Sequence, residues 1–163
     1  MKVGRPDERL RVEPVEPQHA AELVALGAET GLSVWNVESY RDLLTVTGSI
    51  VLRLTDDENS TIAFIAGRVV SGPDGPDAEI YNIAIAGRLQ GTGLAGDLLT
   101  AFVTECRARG VRSIWLEVRG SNSRAIGFYR KNGFQAVRTR PGYYQDPRED
   151  ALIMRLETAA QNA

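Results

Sequence analysis

The sequence predicts one mixed α/β domain, a sheet of α+β order covered by helices. Three observations carry that reading. Apolar spacing is helical near the N-terminus, turns to a period of two around residues 49 to 86, then alternates between helix and strand. At 163 residues the chain can bury one sizeable core and is too short for two ordinary domains. No internal repeat, low-complexity tract or linker divides it, so residues 1–163 read as one domain with loose termini at 1–8 and 158–163.

The elements follow in order. Leu10 to Val15 suits a short strand, stopped around Pro14 and Pro17. Ala20 to Ala28 places Leu23, Val24 and Leu26 on the apolar side of a helix, and Asn36 to Leu44 suits a second helix with Trp35 packed before it. Ser49 to Leu54 and Thr61 to Val70 flank the polar stretch Thr55 to Ser60, as antiparallel strands do. The loop Ser71 to Asp77, dense in Gly, Pro and Asp, leads to a strand over Ala78 to Ala86. A helix from Gly91 to about Arg109, a strand over Ser113 to Val118, a helix over Asn122 to Asn132 and strands over Phe134 to Thr139 and Asp150 to Leu156 complete the chain.

Composition narrows the function. Apolar residues make up 43% and charged residues 25%, values ordinary for a soluble globular protein. No apolar run reaches membrane-spanning length, and the first twenty residues are too polar and acidic for a signal peptide. Cys106 has no second cysteine to pair with, so no intrachain disulfide forms and a cytoplasmic protein is expected. The net charge of −2 is uneven: Arg88 to Arg148 holds 11 Arg/Lys against 4 Asp/Glu, a local +7, and the remainder carries −9. A basic half around a glycine-rich turn suits a phosphate-bearing ligand, or is simply uneven surface charge. No basic stripe interleaved with aromatics is present, so nucleic acid is not an expected partner.

Two segments carry chemistry. Gln90-Gly91-Thr92-Gly93-Leu94-Ala95-Gly96 follows a strand and opens a helix, where crowded backbone N–H groups favour an anion. The same residues would also serve a tight turn that needs small side chains. Gly91, Gly93 and Gly96 match the spacing of a dinucleotide fingerprint, but five residues separate Ile85 from Gly91 and an antiparallel meander precedes the loop, which argues against it. Downstream, Ile114 to Phe134 presents Glu117 on an apolar strand and Tyr129 on the next helix. An acid and a phenol there form a plausible proton acceptor and donor. The alternatives are an edge-strand Glu117, or one paired with Arg119, and a core Tyr129 whose hydroxyl meets a backbone group.

Together these residues resemble the GNAT superfamily of acetyl-CoA-dependent N-acetyltransferases. Gln90-x-x-Gly93-x-Ala95 matches its pyrophosphate signature. Tyr81-Asn82-Ile83-Ala84-Ile85, Leu116-Glu117-Val118-Arg119-x-Ser121-Asn122, Ala125, Tyr129, Gly133-Phe134, Tyr143-Tyr144 and Glu149-Asp150-Ala151-x-x-Met154 resemble the ribosomal-protein-alanine (RimI) type, over roughly residues 78 to 156. The resemblance implies a central, mostly antiparallel, twisted sheet whose fourth and fifth strands run parallel and splay, flanked by about four helices. It implies that Ile83, Ala84 and Ile85 lend backbone groups to pantetheine, that Gly91, Thr92, Gly93, Leu94, Ala95 and Gly96 with Gln90 wrap the pyrophosphate, and that Asn122 contacts acetyl-CoA. Glu117 would be the general base and Tyr129 the acid for the departing thiolate, with no metal. Ala86-Gly87 stands where such proteins commonly carry Asp-Pro.

The expected partners are acetyl-CoA and the N-terminal segment of a protein, a ribosomal protein being the family's typical substrate, with no membrane involved. Trp35, Tyr143 and Tyr144 are the candidates to line the acceptor groove, the tyrosines on a loop, although each residue also suits a packing role. Ile114, Trp115, Leu116 and Val118 would surround Glu117 with apolar groups and raise its pKa. Asn122 would also cap its helix. Cys106 continues the stripe Leu94, Leu98, Phe102 and reads as a core thiol, and His19 has no assigned role. A lysine or small-molecule N-acetyltransferase shares every cofactor residue, and a non-catalytic acetyl-CoA-binding module would have no catalytic reason to keep both Glu117 and Tyr129.

Overall fold

A computed structural model describes residues 2–3, 10–31 and 35–158 of the chain. Its strands are β1 (Lys2–Val3), β2 (Leu10–Pro14), β3 (Ser49–Thr55), β4 (Thr61–Val70), β5 (Asp77–Ile85), β6 (Ser113–Arg119), β7 (Gln135–Tyr144) and β8 (Glu149–Glu157). Its helices are α1 (Ala20–Thr30), α2 (Val37–Thr45), α3 (Leu94–Ala108) and α4 (Ser123–Lys131), with short 3-10 turns at Pro17–His19 and Gly87–Leu89. One sheet runs in the order β1-β2-β3-β4-β5-β6-β8-β7. Every neighbouring pair is antiparallel except β5 and β6. The mixed sheet, its parallel pair and its four helices are as the sequence led us to expect.

Local chemistry sets the element ends. Asn36 caps α2 by accepting from the Ser39 backbone N–H at 2.8 Å, while the Ser39 hydroxyl accepts from the Asn36 N–H at 3.3 Å. His19, given no role above, accepts the Glu16 N–H on Nδ1 at 3.0 Å and so closes the turn before α1. Gly31 ends α1 at φ 89°, in the left-handed region that favours glycine.

Two apolar cores lie on opposite faces of the sheet. One packs Leu98, Phe102 and Cys106 of α3 and Tyr129 of α4 against Ile65, Ile80, Ile114 and Leu116. The Cys106 thiol is fully buried there, and burial pushes it up to about 12. The other packs Leu23, Leu26, Tyr40 and Leu43 of α1 and α2 on Val51, Phe64, Ala66 and Ala84. On that second face Arg53, 1% exposed, pairs with Glu13 and Glu22 and donates to Thr61 Oγ1 at 3.0 Å. It ties β2 and α1 to the β3–β4 turn.

Two boundaries differ from expectation. Of the N-terminal stretch 1–8, Lys2–Val3 pairs with Arg11 and Leu10, and the rest lies outside the described residues. Thr158, expected to be loose, is 3% exposed; its N–H donates to Arg112 O at 2.7 Å and its hydroxyl to Val111 O. Residues 159–163 lie outside the described residues.

Candidate active site

The site is built where the sheet opens. β5 and β6 pair only from Ala78↔Ile114 to Ile80↔Leu116. Beyond that point Ile83, Ala84 and Ile85 stay paired with Ile65, Phe64 and Ala63 of β4, and their edge toward β6 has no strand partner. Backbone polar groups along such an edge need partners, and an extended ligand arm can supply them. Gln90 lies within this wall, its amide Nε2 donating to Ile85 O at 3.3 Å.

The glycine loop sits at the mouth of the opening. Gly91 and Gly93 take φ of 81° and 90°, a region costly for other residues. A Cβ added at Gly91, Gly93 or Gly96 would meet nothing within 4 Å, so space beside the loop is open. Gly93 begins the 15-residue α3 without a side-chain cap. The first bond into the helix is from Asp97 N–H to Gly93 O at 3.2 Å, so the N–H groups of Leu94, Ala95 and Gly96 precede the ladder. Those donors and the helix dipole fit a pyrophosphate. Leu94 offers only its backbone, since its side chain is 4% exposed in the core. The Thr92 hydroxyl donates to Leu89 O and shapes the turn. At the Ala86-Gly87 departure, the Gly87 N–H donates to Glu29 Oε1 of α1 at 3.0 Å, a bond that a proline could not make.

Glu117 does not occupy the apolar surroundings expected for it. Strand neighbours point to opposite faces, so Ile114, Leu116 and Val118 enter the core shared by α3 and α4 while Glu117 faces away from them. Its carboxylate keeps 32% of its side-chain exposure and pairs with Arg140 at 3.2 Å. β6 is interior to the sheet, between β5 and β8, and Arg119 pairs with Glu149 instead. The pairing with Arg119 therefore does not hold, whereas Glu117 does stand exposed where β6 loses its β5 partner.

Tyr129 is both a core residue and a neighbour of the site. It is 7% exposed and packs edge-on against Phe128 and Phe134, at ring distances of 5.4 and 5.5 Å. Its hydroxyl makes no hydrogen bond among the described residues. Burial first, and then the nearby Tyr144, hold its phenol well above the ordinary tyrosine value. Tyr144 is itself pushed up to about 12, by burial and then by Glu117. Glu117 and Tyr129 thus lie on opposite faces of the sheet, and Tyr144 is close enough for Glu117 to act on its phenol and for it to act on that of Tyr129. Asn122 caps α4, its Oδ1 accepting from Ala125 N–H at 3.1 Å.

On the Glu117 face, Trp35 stacks near Tyr40 and Tyr81 at 5.0 and 5.7 Å. Tyr143 and Tyr144 end β7 instead of lying on a loop. The strand is irregular between Arg140↔Ala151 and Tyr144↔Glu149, and this carries it past Pro141 and Gly142. Tyr143 is 43% exposed, with the Arg140 guanidinium 4.8 Å above its ring, and Arg119 lies 4.4 Å above Tyr144. Arg119 also donates to Pro147 O at 3.1 Å and Gln145 O at 3.3 Å, while Glu149 accepts from the Ser121 N–H at 2.6 Å. Together these bonds pin the β7–β8 turn to the end of β6. Arg140, Arg119 and Glu149 are neighbours of Glu117 and the Tyr143-Tyr144 pair that sequence reasoning missed as a group. The signal, cations flanking a Tyr-Tyr pair, has no meaning until the strand order is known. Among the described residues no group of three or more His, Cys, Asp or Glu could hold a metal ion. No helix among them is long and apolar enough to cross a membrane.

Residues 20–134 match the Acetyltransferase (GNAT) family. The chain belongs to this family. Among relatives, the [Ribosomal protein bS18]-alanine N-acetyltransferase of Escherichia coli (strain K12) is 44% identical over 82 residues, which cover 49% of this chain and 55% of the relative. The Salmonella typhimurium (strain LT2) enzyme of the same name is 39% identical over 107 residues, 64% of this chain and 69% of the relative. In sequence, then, the chain spans about half the length of the first of these. In structure, the GNAT fold here matches the crystal structure of the ribosomal-protein-S18-alanine N-acetyltransferase from Escherichia coli with a TM-score of 0.80. Identity is 30%, covering 94% of this chain and 98% of that one.

Proposed function

We propose that this GNAT protein transfers the acetyl group of acetyl-CoA to the N-terminal α-amine of a protein, a ribosomal protein being the substrate class its relatives' names point to. The observation that carries this reading is the opening between β5 and β6, which begins past Ile80 and Leu116, one residue before Glu117. In this reading the free edge of Ile83 to Ile85 aligns the pantetheine arm, and the N–H groups of Leu94 to Gly96 hold the pyrophosphate. Asn122, already spent on its cap, keeps a second lone pair for the cofactor. Trp35, Tyr143 and Tyr144 form the acceptor groove.

Little covalent help is needed. The acceptor ammonium gives a proton to Glu117 and the freed amine attacks the thioester carbonyl. The C–S bond then breaks as Tyr129 protonates the sulfur. The second proton, which the nitrogen sheds on becoming an amide, passes to the Tyr129 phenolate and restores it, while Glu117 releases its proton to solvent. An α-amine, with a pKa of roughly 7.7–8.0 against about 10.4 for lysine, is the easier to deprotonate. The raised phenol of Tyr129 keeps its proton across the working range, which an acid requires. The deciding experiment incubates the protein with acetyl-CoA and Ala-, Ser-, Met- and Lys-bearing peptides, following thiol release and the acetylation site. Acetylation of α-amines supports the reading, and acetylation of lysine side chains alone overturns it.

The buried phenols also set a pH limit on the fold. Tyr40, Tyr129 and Tyr144 all have folded-state values above the ordinary 10, burial being the first cause. Their protonated forms favour the folded chain, so this stability is complete below about pH 10 and is lost as pH rises through the folded values. Thermal unfolding from pH 7 to 11 should show a flat Tm that falls beyond about pH 10, with a smaller fall in Tyr129→Phe.

A further inference from the structure

Glu79 takes no part in the reaction as proposed. It lies on β5 opposite Arg68 of β4 and, in the parallel register, beside Trp115 of β6. Trp115 and Glu117 are two residues apart and share a face, so Glu79 projects to the Glu117 side just before the sheet opens. A bulge reinforces this. Ala66 faces Asn82 and Gly67 faces Ile80, which leaves Tyr81 with no partner residue on β4. Tyr81 consequently stays on the Glu79 side, its hydroxyl donating to Glu79 Oε2 at 2.9 Å and its ring 5.7 Å from Trp35. The Tyr143 phenol is influenced by both carboxylates, Glu117 more strongly than Glu79.

The two carboxylates differ in what neutralises them. Glu117 is held by Arg140 at 3.2 Å. Glu79 has no ion pair among the described residues, and its bonded partner is a neutral phenol. Arg68, its cross-strand neighbour, makes no ion pair with it and instead lies against the Tyr81 phenol, where its charge lowers the pKa that burial and Glu79 raise. We propose that Glu79, braced by Tyr81, captures the acceptor as its ammonium ion, and that Glu117 then takes the proton. The inference rests on the N-terminal acetylation reading. Near neutral pH an α-amine of pKa roughly 7.7–8.0 arrives mostly protonated, and a carboxylate not already spent on an arginine is the stronger anchor for it. Glu79 would then determine acceptor affinity and leave the chemical step to Glu117.

The test is steady-state kinetics of the whole chain with a peptide that the wild type acetylates, comparing Glu79→Gln, Glu79→Asp and Glu117→Gln. Glu79→Gln should raise the acceptor KM about tenfold while kcat and the acetyl-CoA KM stay within about twofold. Glu79→Asp should recover part of that affinity. The wild-type acceptor KM should rise with salt, and Glu79→Gln should flatten the dependence. An unchanged acceptor KM overturns the proposal, as does a loss confined to kcat, which would make Glu79 a base. The wild-type salt series needs no variant to fold, and a salt-independent acceptor KM overturns the proposal by itself. Should the wild type acetylate only lysine, the N-terminal reading fails, while a raised KM for that lysine peptide in Glu79→Gln still supports the anchor.

Discussion

Glu117→Gln is expected to lower kcat by roughly 10²- to 10⁴-fold, the range for removing a general base, with the acetyl-CoA KM little changed. The amide is the same size and its oxygen can still accept from Arg140, so the local geometry should survive. The ion pair it replaces is partly exposed on both sides, 54% for Arg140 and 32% for Glu117, so its loss should cost under about 1 kcal/mol of stability. Thermal unfolding should therefore be nearly that of the wild type. A pH series sharpens the test. As pH rises from 7 toward 9, more of an α-amine acceptor is already deprotonated and needs no base. The deficit of the variant should shrink along that series. Unchanged turnover at pH 7 would remove Glu117 from the role.

Gly67→Ala is expected to destabilise the fold by about 3 kcal/mol, the upper part of the range for overpacking, and to lower Tm on the order of 10 °C. A Cβ at Gly67 would clash with Glu79 O and lie 2.6 Å from Phe102 Cζ, a residue fully buried in α3. Neither a backbone carbonyl in a sheet nor a ring locked in the core can move aside cheaply. The same residue borders the bulge that sets Tyr81, so any variant that does fold should also bind acceptor poorly. Circular dichroism melting and acceptor KM together check both effects. A Tm within about 2 °C of the wild type would show that α3 can shift away from the sheet.

The elements and the glycine loop were legible because their signals are local. Alternation marked β3, β4 and β6, Asn36 and Asn122 marked helix starts, and Gly91 and Gly93 marked a turn that other residues resist. The surroundings of Glu117 were misread for an equally plain reason. Ile114, Leu116 and Val118 adjoin it in sequence, but a strand sends neighbouring side chains to opposite faces, so they share no environment with it. The length of β7 was missed because Tyr143 and Tyr144 were expected on a loop beyond Thr139, whereas an irregular pairing with β8 carries the strand past Pro141 and Gly142 to them.

By itself the sequence determined most of the helices and strands, though not β1 or the far half of β7, that they make one mixed sheet, and, by resemblance, a GNAT acetyltransferase with its glycine loop. Only the tertiary structure decided who meets whom. Slotting β8 between β6 and β7 brings Arg140 to Glu117, and ending the β5–β6 pairing at Ile80 and Leu116 opens the sheet just before Glu117. The physical reason is range. Helix caps, turns and alternation act within a few residues, while strand order and splay are settled by which distant apolar faces pack together.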